Sequence, residues 1–411
     1  MTVKLEIPYG QSSVKLEVDE GRPVESVSPA EIQANVESIT ESLASPTDFV
    51  DLSTFIAKRK RLLVVVNDHT RPTPSWAVLR HLRLGDKEVT TIIASGSHRM
   101  PNAQEIQRIL GGDSPPYGGK VVLHNSKDKN SLKPFGHTSR GTELFFNSLL
   151  FEADGIIVVG SVEPHYFAGF TGGRKFLLPG LAGLESIVMN HSLAAEESSR
   201  VLALEGNPVH EDFMEALEMF GRADDIFSVQ LVVNAQHQVC YANSGHVVRS
   251  FSEAVEHARV VYVPQIEKKA DIVIAVAKPP MDIDLYQSQK AIDNVRLSVK
   301  KDGIIILVSS CRDGIGDKGF YDLLTSGGEV ADRANAHRFG YHKAVKLANL
   351  LKNTRVFAVT GLPPDVLKSI SLEPYRNIQK ALRDATEAKG KDSNVLIVLD
   401  GSITVPVPRN A

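Results

Sequence analysis

Cysteine is nearly absent: Cys240 and Cys311 are the only two in 411 residues. That is too few for a disulfide framework or a thiolate zinc site. No apolar run reaches the ~18 residues that span a bilayer, and the opening stretch MTVKLEIPYGQSSVKLEVDE has no signal-peptide core. An excess of one charge is missing too. Lys and Arg number 46 against 49 Asp and Glu, a net charge of −3, so nothing draws the chain to nucleic acid or an acidic membrane. The segment GFTGGRKF invites a phosphate-loop reading but lacks its essentials. Arg174 separates Gly173 from Lys175, and Phe176 stands where a magnesium-binding hydroxyl belongs. An ordinary nucleoside-triphosphate site is excluded. What is present is a composition usual for soluble proteins, 42% hydrophobic and 23% charged. The length suffices for two domains, and the expected location is the cytoplasm.

After a hairpin-like start, the pattern alternates strand, loop and helix. Short β-branched runs predict buried parallel strands at Arg61–Asn67, Val89–Ala94, Lys120–His124 and Gly155–Gly160. Helical spacing follows at Trp76–Leu82, Ala103–Leu110, about 181–205 and 208–220, with Gly111 and Gly112 as C-cap glycines. A polar stretch at Pro264–Ala270 precedes a second series of strands: 271–276, 303–309, 355–361 and 394–400. The expected architecture is α/β, with two Rossmann-like domains at 1–266 and 267–411 and a small-molecule site in the cleft between them. The tail SITVPVPRNA reads as extended.

In doubly wound sheets ligands sit beyond the carboxyl ends of strands. Asp68 and Arg71 follow the first strand, His98 the second and His165 the strand GIIVVG, so three strands deliver polar groups to one rim. The DHTRPTP loop places Asp68 three residues before Arg71. The arginine reads either as a two-pronged grip on a carboxylate or phosphate or as an ion pair within the loop. His98, in SGSHRMP, and His165 occupy matching positions suited to general bases. Tyr286, Gln287 and Lys290 follow the strand at 271–276. Gln287 and Lys290 are one helical turn apart and read either as a carboxylate-binding pair or as a solvated face.

The richest segment runs from His165 to His191, 27 residues that bracket Gly169, Gly172, Gly173 and Lys175. Glycine admits close backbone approach to a ligand, and histidine supplies a proton acceptor or a metal ligand. His69, His124, His210 and His342 lack comparable company and read as structural, although His210 and Asp212 together raise the possibility of a metal site.

The set DHTR, SGSHRMP, PHYFAGFTGGRK, NHS and YQSQK resembles the lactate racemase family, in order and with matching intervals over most of the chain. The resemblance implies two α/β domains and a nickel-pincer nucleotide held in the cleft. It assigns Lys175 as the covalent anchor, through a thioamide to the pyridinium, and His191 as the protein ligand to nickel; imidazole beside thio-donors suits Ni(II). It assigns His98 and His165 as the two acid–base residues, one for each enantiomer. Asp68, Thr70 and Arg71 would hold the cofactor, with Arg71 also reaching the substrate, and Tyr286, Gln287 and Lys290 would bind the substrate. The implied reaction moves the α-hydrogen of a 2-hydroxy acid as hydride and passes through a planar 2-keto acid. Enzymes that build the cofactor are the implied partners. Trp76 is the only tryptophan, so an aromatic wall from the second domain must be Phe or Tyr. Arg312 and Asp313 add charge near Cys311 and favour a substrate larger or more polar than lactate, such as malate or an aldonate. Two other readings remain open: a metal-dependent hydrolase using His98, His165 and His191, and a carrier of the cofactor without catalysis.

Overall fold

The computed structural model describes residues 2–19, 21–71, 73–326, 330–332, 335–336, 338 and 340–409. The chain forms two compact units, Glu31–Val261 and a second composed of Met1–Ala30 with Tyr262–Ala411.

In the unit Glu31–Val261 the runs RLLVVVN and GIIVVGS lie at the centre of a six-stranded sheet, buried on both faces. Its order is Val239–His246, Ile226–Val233, Gly155–Ser161, Arg61–Asn67, Glu88–Ala94 and Lys120–Leu123. Alternate side chains serve two cores: Leu63 and Val65 enter one layer, and Leu62, Val64 and Val66 the other. Pairing is parallel except at the outer strand Val239–His246, which runs antiparallel to Ile226–Val233. Numbered along the chain, the strands follow the order of dinucleotide-binding sheets, 3-2-1-4-5-6. That order reverses between Arg61–Asn67 and Gly155–Ser161, and the loops leaving these two strands flank the reversal.

Local signals set the helices around this sheet. Asn102 and Glu105 form a reciprocal capping box ahead of Ala103–Leu110, and Gly111 closes that helix at φ 77°. Asn207 caps Pro208–Phe220, with proline in the first turn. The helix expected over 181–205 is shorter. It spans Leu184–Ser192, and one further turn covers Leu193–Ala195. The Ser199 hydroxyl donates to the Leu193 carbonyl, drawing that acceptor out of a continuing helix.

The second unit has its own parallel sheet, in the order Glu373–Tyr375, Arg355–Val359, Val299–Val308, Ala270–Val276, Val395–Val398 and Val24–Val27. This grouping differs from a division at 1–266 and 267–411, because the first thirty residues belong with the C-terminal strands. Val24–Val27 completes the sheet beside Val395–Val398. The hairpin Thr2–Tyr9 and Ser12–Asp19 sends Ile7, Leu16 and Val18 into one core with Ile274, Ile306 and Ile397. The tail pairs through Val407–Pro408 with Gln265–Ile266. Among the described residues no helix is long and apolar enough to cross a membrane.

Candidate active site

The first polar cluster forms where the strand order reverses. Asp68, one residue beyond Arg61–Asn67, is 3% exposed, and its Oδ2 accepts from His98 Nδ1 at 2.8 Å. Its other oxygen accepts from the Thr70 amide at 3.1 Å and the Thr70 hydroxyl at 2.7 Å. Burial pushes the Asp68 carboxyl up, but the bond and charge of His98, the Thr70 hydroxyl and the Arg71 charge together bring it below its usual range. Since a carboxylate only accepts, His98 Nδ1 carries the hydrogen, and in the neutral ring Nε2 holds the lone pair. The imidazole side chain remains 48% exposed, so a substrate can reach it.

Across the reversal, Arg71 Nη1 donates to Glu163 Oε1 at 3.0 Å. Asp68 therefore pairs with His98 and Arg71 with Glu163, and among the described residues of the DHTRPTP loop no ion pair joins Asp68 to Arg71. Glu163 was not singled out from the sequence. It is 6% exposed and precedes His165 by two residues, and its backbone is pinned by Thr171 on both sides.

The glycine-rich segment folds tightly against this rim. His165 and Gly169 pair across a two-residue ladder. At Gly172, φ is 83°, and a Cβ would lie 2.6 Å from Val162 Cγ2 and 2.7 Å from Gln230 Oε1, so only glycine fits. The next amide, Gly173, donates to that same Gln230 oxygen at 3.1 Å. The turn Gly173–Phe176 then presents Lys175. Phe167, 2% exposed, is the common neighbour. Ring centroids of His165 and His191 lie 4.5 and 5.0 Å from its own, and Lys175 Nζ lies 5.7 Å away. Thus the three groups singled out in PHYFAGFTGGRK and NHS surround one aromatic ring.

The histidines differ in proton placement. The Ala168 amide donates to His165 Nδ1 at 3.3 Å, so in the neutral ring the hydrogen sits on Nε2, the reverse of His98. Burial pushes the His191 imidazole down to about 3, with Lys175 and His98 acting in the same direction, so it is neutral near pH 7. Arg174, beside Lys175, is 1% exposed. Its Nη2 donates to the Ala168 carbonyl at 3.0 Å and its guanidinium lies 4.3 Å from the Phe251 ring. Burial lowers it to about 9.

Several other expectations resolve here. His124 is buried between the Ala182 carbonyl and the Asn147 amide, a structural role. Asp212 accepts from Thr138, Thr142 and Asn190, an arrangement unlike a metal site shared with His210. Among the described residues no three His, Cys, Asp or Glu side chains gather as a metal-binding group, His98, His165 and His191 included.

Tyr286, Gln287 and Lys290 belong to the other unit, half-buried on the helix Leu285–Asn294. Asp284 caps that helix through the Gln287 amide at 2.7 Å. Lys343 donates to the Tyr286 carbonyl and sits over its ring, and Lys290 Nζ lies 3.1 Å from Met281 Sδ. Arg312 and Asp313 are exposed and 3.9 Å apart, so the two added charges face each other.

Comparison with known proteins covers both units. The family model for the lactate racemase N-terminal domain matches residues 9–202, and that for the lactate racemase C-terminal domain matches 265–407. A lactate racemase from Thermoanaerobacterium thermosaccharolyticum is 29% identical over 97% of this chain and 97% of its own length. One from Lactiplantibacillus plantarum is 28% identical over 97% and 98%. The solved lactate racemase apoprotein from the former organism superposes with a TM-score of 0.90 at 28% identity, covering 98% of this chain and 100% of that one. A Thermotoga maritima protein, at 20% identity and a TM-score of 0.70 over 92% of this chain, shares the fold.

Proposed function

From the premise that this chain belongs to the lactate racemase family, and is an isomerase, we propose that it racemises or epimerises a 2-hydroxy acid through a 2-keto acid. Lactate, the substrate for which its relatives are named, is the first candidate. The observation that carries the reading is the gathering of His165, His191 and Lys175 around Phe167, in the same unit as the Asp68–His98 pair at the strand reversal.

The proposed cofactor is a nickel-pincer nucleotide anchored on Lys175. Its fit is supported by the donor chemistry. A group that brings three donors of its own needs one protein nitrogen, and His191 is a neutral imidazole close to the ring that also contacts the anchor lysine. When bound, the group supplies an acceptor for the substrate's α-hydrogen as hydride, a route that avoids removing a poorly acidic proton next to a carboxylate.

The chain's own residues do the rest. His98 offers the Nε2 lone pair to the substrate hydroxyl, and Asp68 behind it stabilises the imidazolium that results. His165 is assigned to the opposite face: as an imidazolium it returns a proton to the keto oxygen after His98 has taken the hydroxyl proton. The other enantiomer uses the two rings in exchanged order, with His165 then the neutral base. Arg71, oriented by Glu163, binds the substrate carboxylate, while Asp68 and Thr70 add contacts to the cofactor beyond their bonds to His98. Tyr286, Gln287 and Lys290 are assigned to substrate binding by the family resemblance. The protein acts in the cytoplasm on a small molecule, with the cofactor-building enzymes as its suppliers.

The test is purification from a host that co-expresses those enzymes, followed by intact-mass measurement, nickel analysis and racemisation assays with lactate, malate and aldonates. The expected result is a covalent adduct lost in Lys175→Ala, one nickel per chain, and turnover lost in His98→Ala while the adduct remains. Wild-type protein carrying the adduct but turning over no 2-hydroxy acid would leave the carrier reading standing in place of this one.

A further inference from the structure

We infer that Asn190, held by Asp212, is a positioning residue that decides which nitrogen of His191 is presented to the metal. The inference rests on the proposed role of His191 and concerns Asn190, the NHS asparagine to which no role has been assigned, and Asp212, which lies outside the motifs.

Asp212 lies on the helix Pro208–Phe220 and is fully buried, as is Asn190 on the helix Leu184–Ser192. The carboxylate receives three side-chain donors. Thr138 Oγ1 donates to Oδ1 at 2.6 Å, and Thr142 Oγ1 and Asn190 Nδ2 donate to Oδ2 at 2.9 and 2.8 Å. The same Asn190 nitrogen lies 3.4 Å from the Val209 carbonyl. Both partners can only accept, so the amide has one permitted orientation, with Nδ2 toward Asp212 and Oδ1 turned away. That oxygen lies 3.1 Å from His191 Nδ1. An amide oxygen only accepts, so Nδ1 must bear the hydrogen and Nε2 the lone pair.

An obligate acceptor fixes an amide, and the amide fixes an imidazole tautomer. Metal-binding histidines commonly donate their second ring N–H in this manner, and losing the outer partner typically weakens metal affinity 10–100-fold. The two threonines that hold Asp212 lie in and beside the turn joining Leu132–His137 to Glu143–Asn147. A hairpin, two helices and the imidazole are therefore linked in one buried network.

The experiment has two readouts. In the apoprotein, 15N-histidine NMR reports which nitrogen of His191 is protonated, with the resonance assigned by its loss in His191→Gln. In the cofactor-loaded protein, a chelator challenge reports the rate of nickel loss, with intact mass confirming that the Lys175 adduct persists. Wild type should show hydrogen on Nδ1. Asn190→Leu should release that preference and lose nickel about 10–100-fold faster. The double variant Asn190→Asp with Asp212→Asn reverses the donor and acceptor between the helices yet keeps an acceptor for Nδ1, so it should restore the tautomer and slow nickel loss again. It also serves if the leucine variant does not fold. A purely structural network predicts no tautomer change. Hydrogen on Nε2 in wild type, or nickel loss at the wild-type rate from folded Asn190→Leu, overturns the inference. If loaded protein carries neither adduct nor nickel, the proposed cofactor fails, and the apoprotein NMR still decides whether the relay sets the ring.

Discussion

Both units place acids on the segments that leave the ends of parallel strands, and treat them differently. In Glu31–Val261, Asp68 meets an imidazole and Glu163 a guanidinium, and the Asp68 carboxyl is held below its ordinary range despite burial. In the other unit, Asp284 follows the strand Ala270–Val276 and Asp400 follows Val395–Val398. Burial raises both, Asp400 to about 6, with the Lys278 charge only partly opposing it. One rim is preorganised by short charged contacts, and the other carries acids that are costly to ionise. Two largely parallel sheets of different strand order thus carry, in one unit, charges set in advance and, in the other, acids whose ionisation weighs on stability.

The sharpest way to break this contrast is Asp68→Asn. It keeps the shape but removes the charge behind His98, and turnover of loaded enzyme should fall roughly 10²–10⁴-fold with the Lys175 adduct intact. Steady-state racemisation together with intact mass checks it; unchanged turnover would mean that the pair is structural. Arg71→Lys should come next. A hydrogen bond to a charged group contributes ~1.5–3 kcal/mol, so KM should rise on the order of ten- to a hundredfold, measured by initial rates in both directions.

Asp400→Asn tests the other side of the comparison. A carboxyl whose folded value is raised contributes stability that is full below its unfolded value and is lost as pH rises through about 6. Removing the charge should stabilise the protein at pH 7.5 by roughly 1–3 kcal/mol and change little at pH 4. Denaturant melts at the two pH values decide, and an equal gain at both would refute the assignment. The smallest expected effect is Asn102→Ala, which removes the capping box of Ala103–Leu110 and should cost about 1 kcal/mol, read from a shift in the denaturant midpoint.

Elements with strong local signals were legible in the sequence. Arg61–Asn67, Ala103–Leu110 and Pro208–Phe220 have the bounds their patterns predict. The strands Ile226–Val233 and Val239–His246 were not recognised. Ser228 and Gln230 interrupt the first apolar run, yet both are fully buried, because Gln230 Oε1 receives the Gly173 amide. Such a polar residue is explained only by a partner 57 positions away. Glu163 was missed for the same reason, since its salt bridge reaches back 92 residues to Arg71. The reassignment of the first thirty residues likewise depends on pairing between Val24–Val27 and Val395–Val398, a contact with no local signature. The motif histidines and Lys175 were legible as a set, whereas the opposite tautomers of His98 and His165 emerge only from the atoms facing each ring.

Phe167 lies among His165, His191 and Lys175, so a rigid disc acts as the spacer for three groups with different proposed duties. Trimming that disc would disturb the proposed anchoring, ligation and proton transfer together. Laboratory evolution toward new hydroxy acids should therefore find few beneficial changes at this position and more at residues that touch only one of the three.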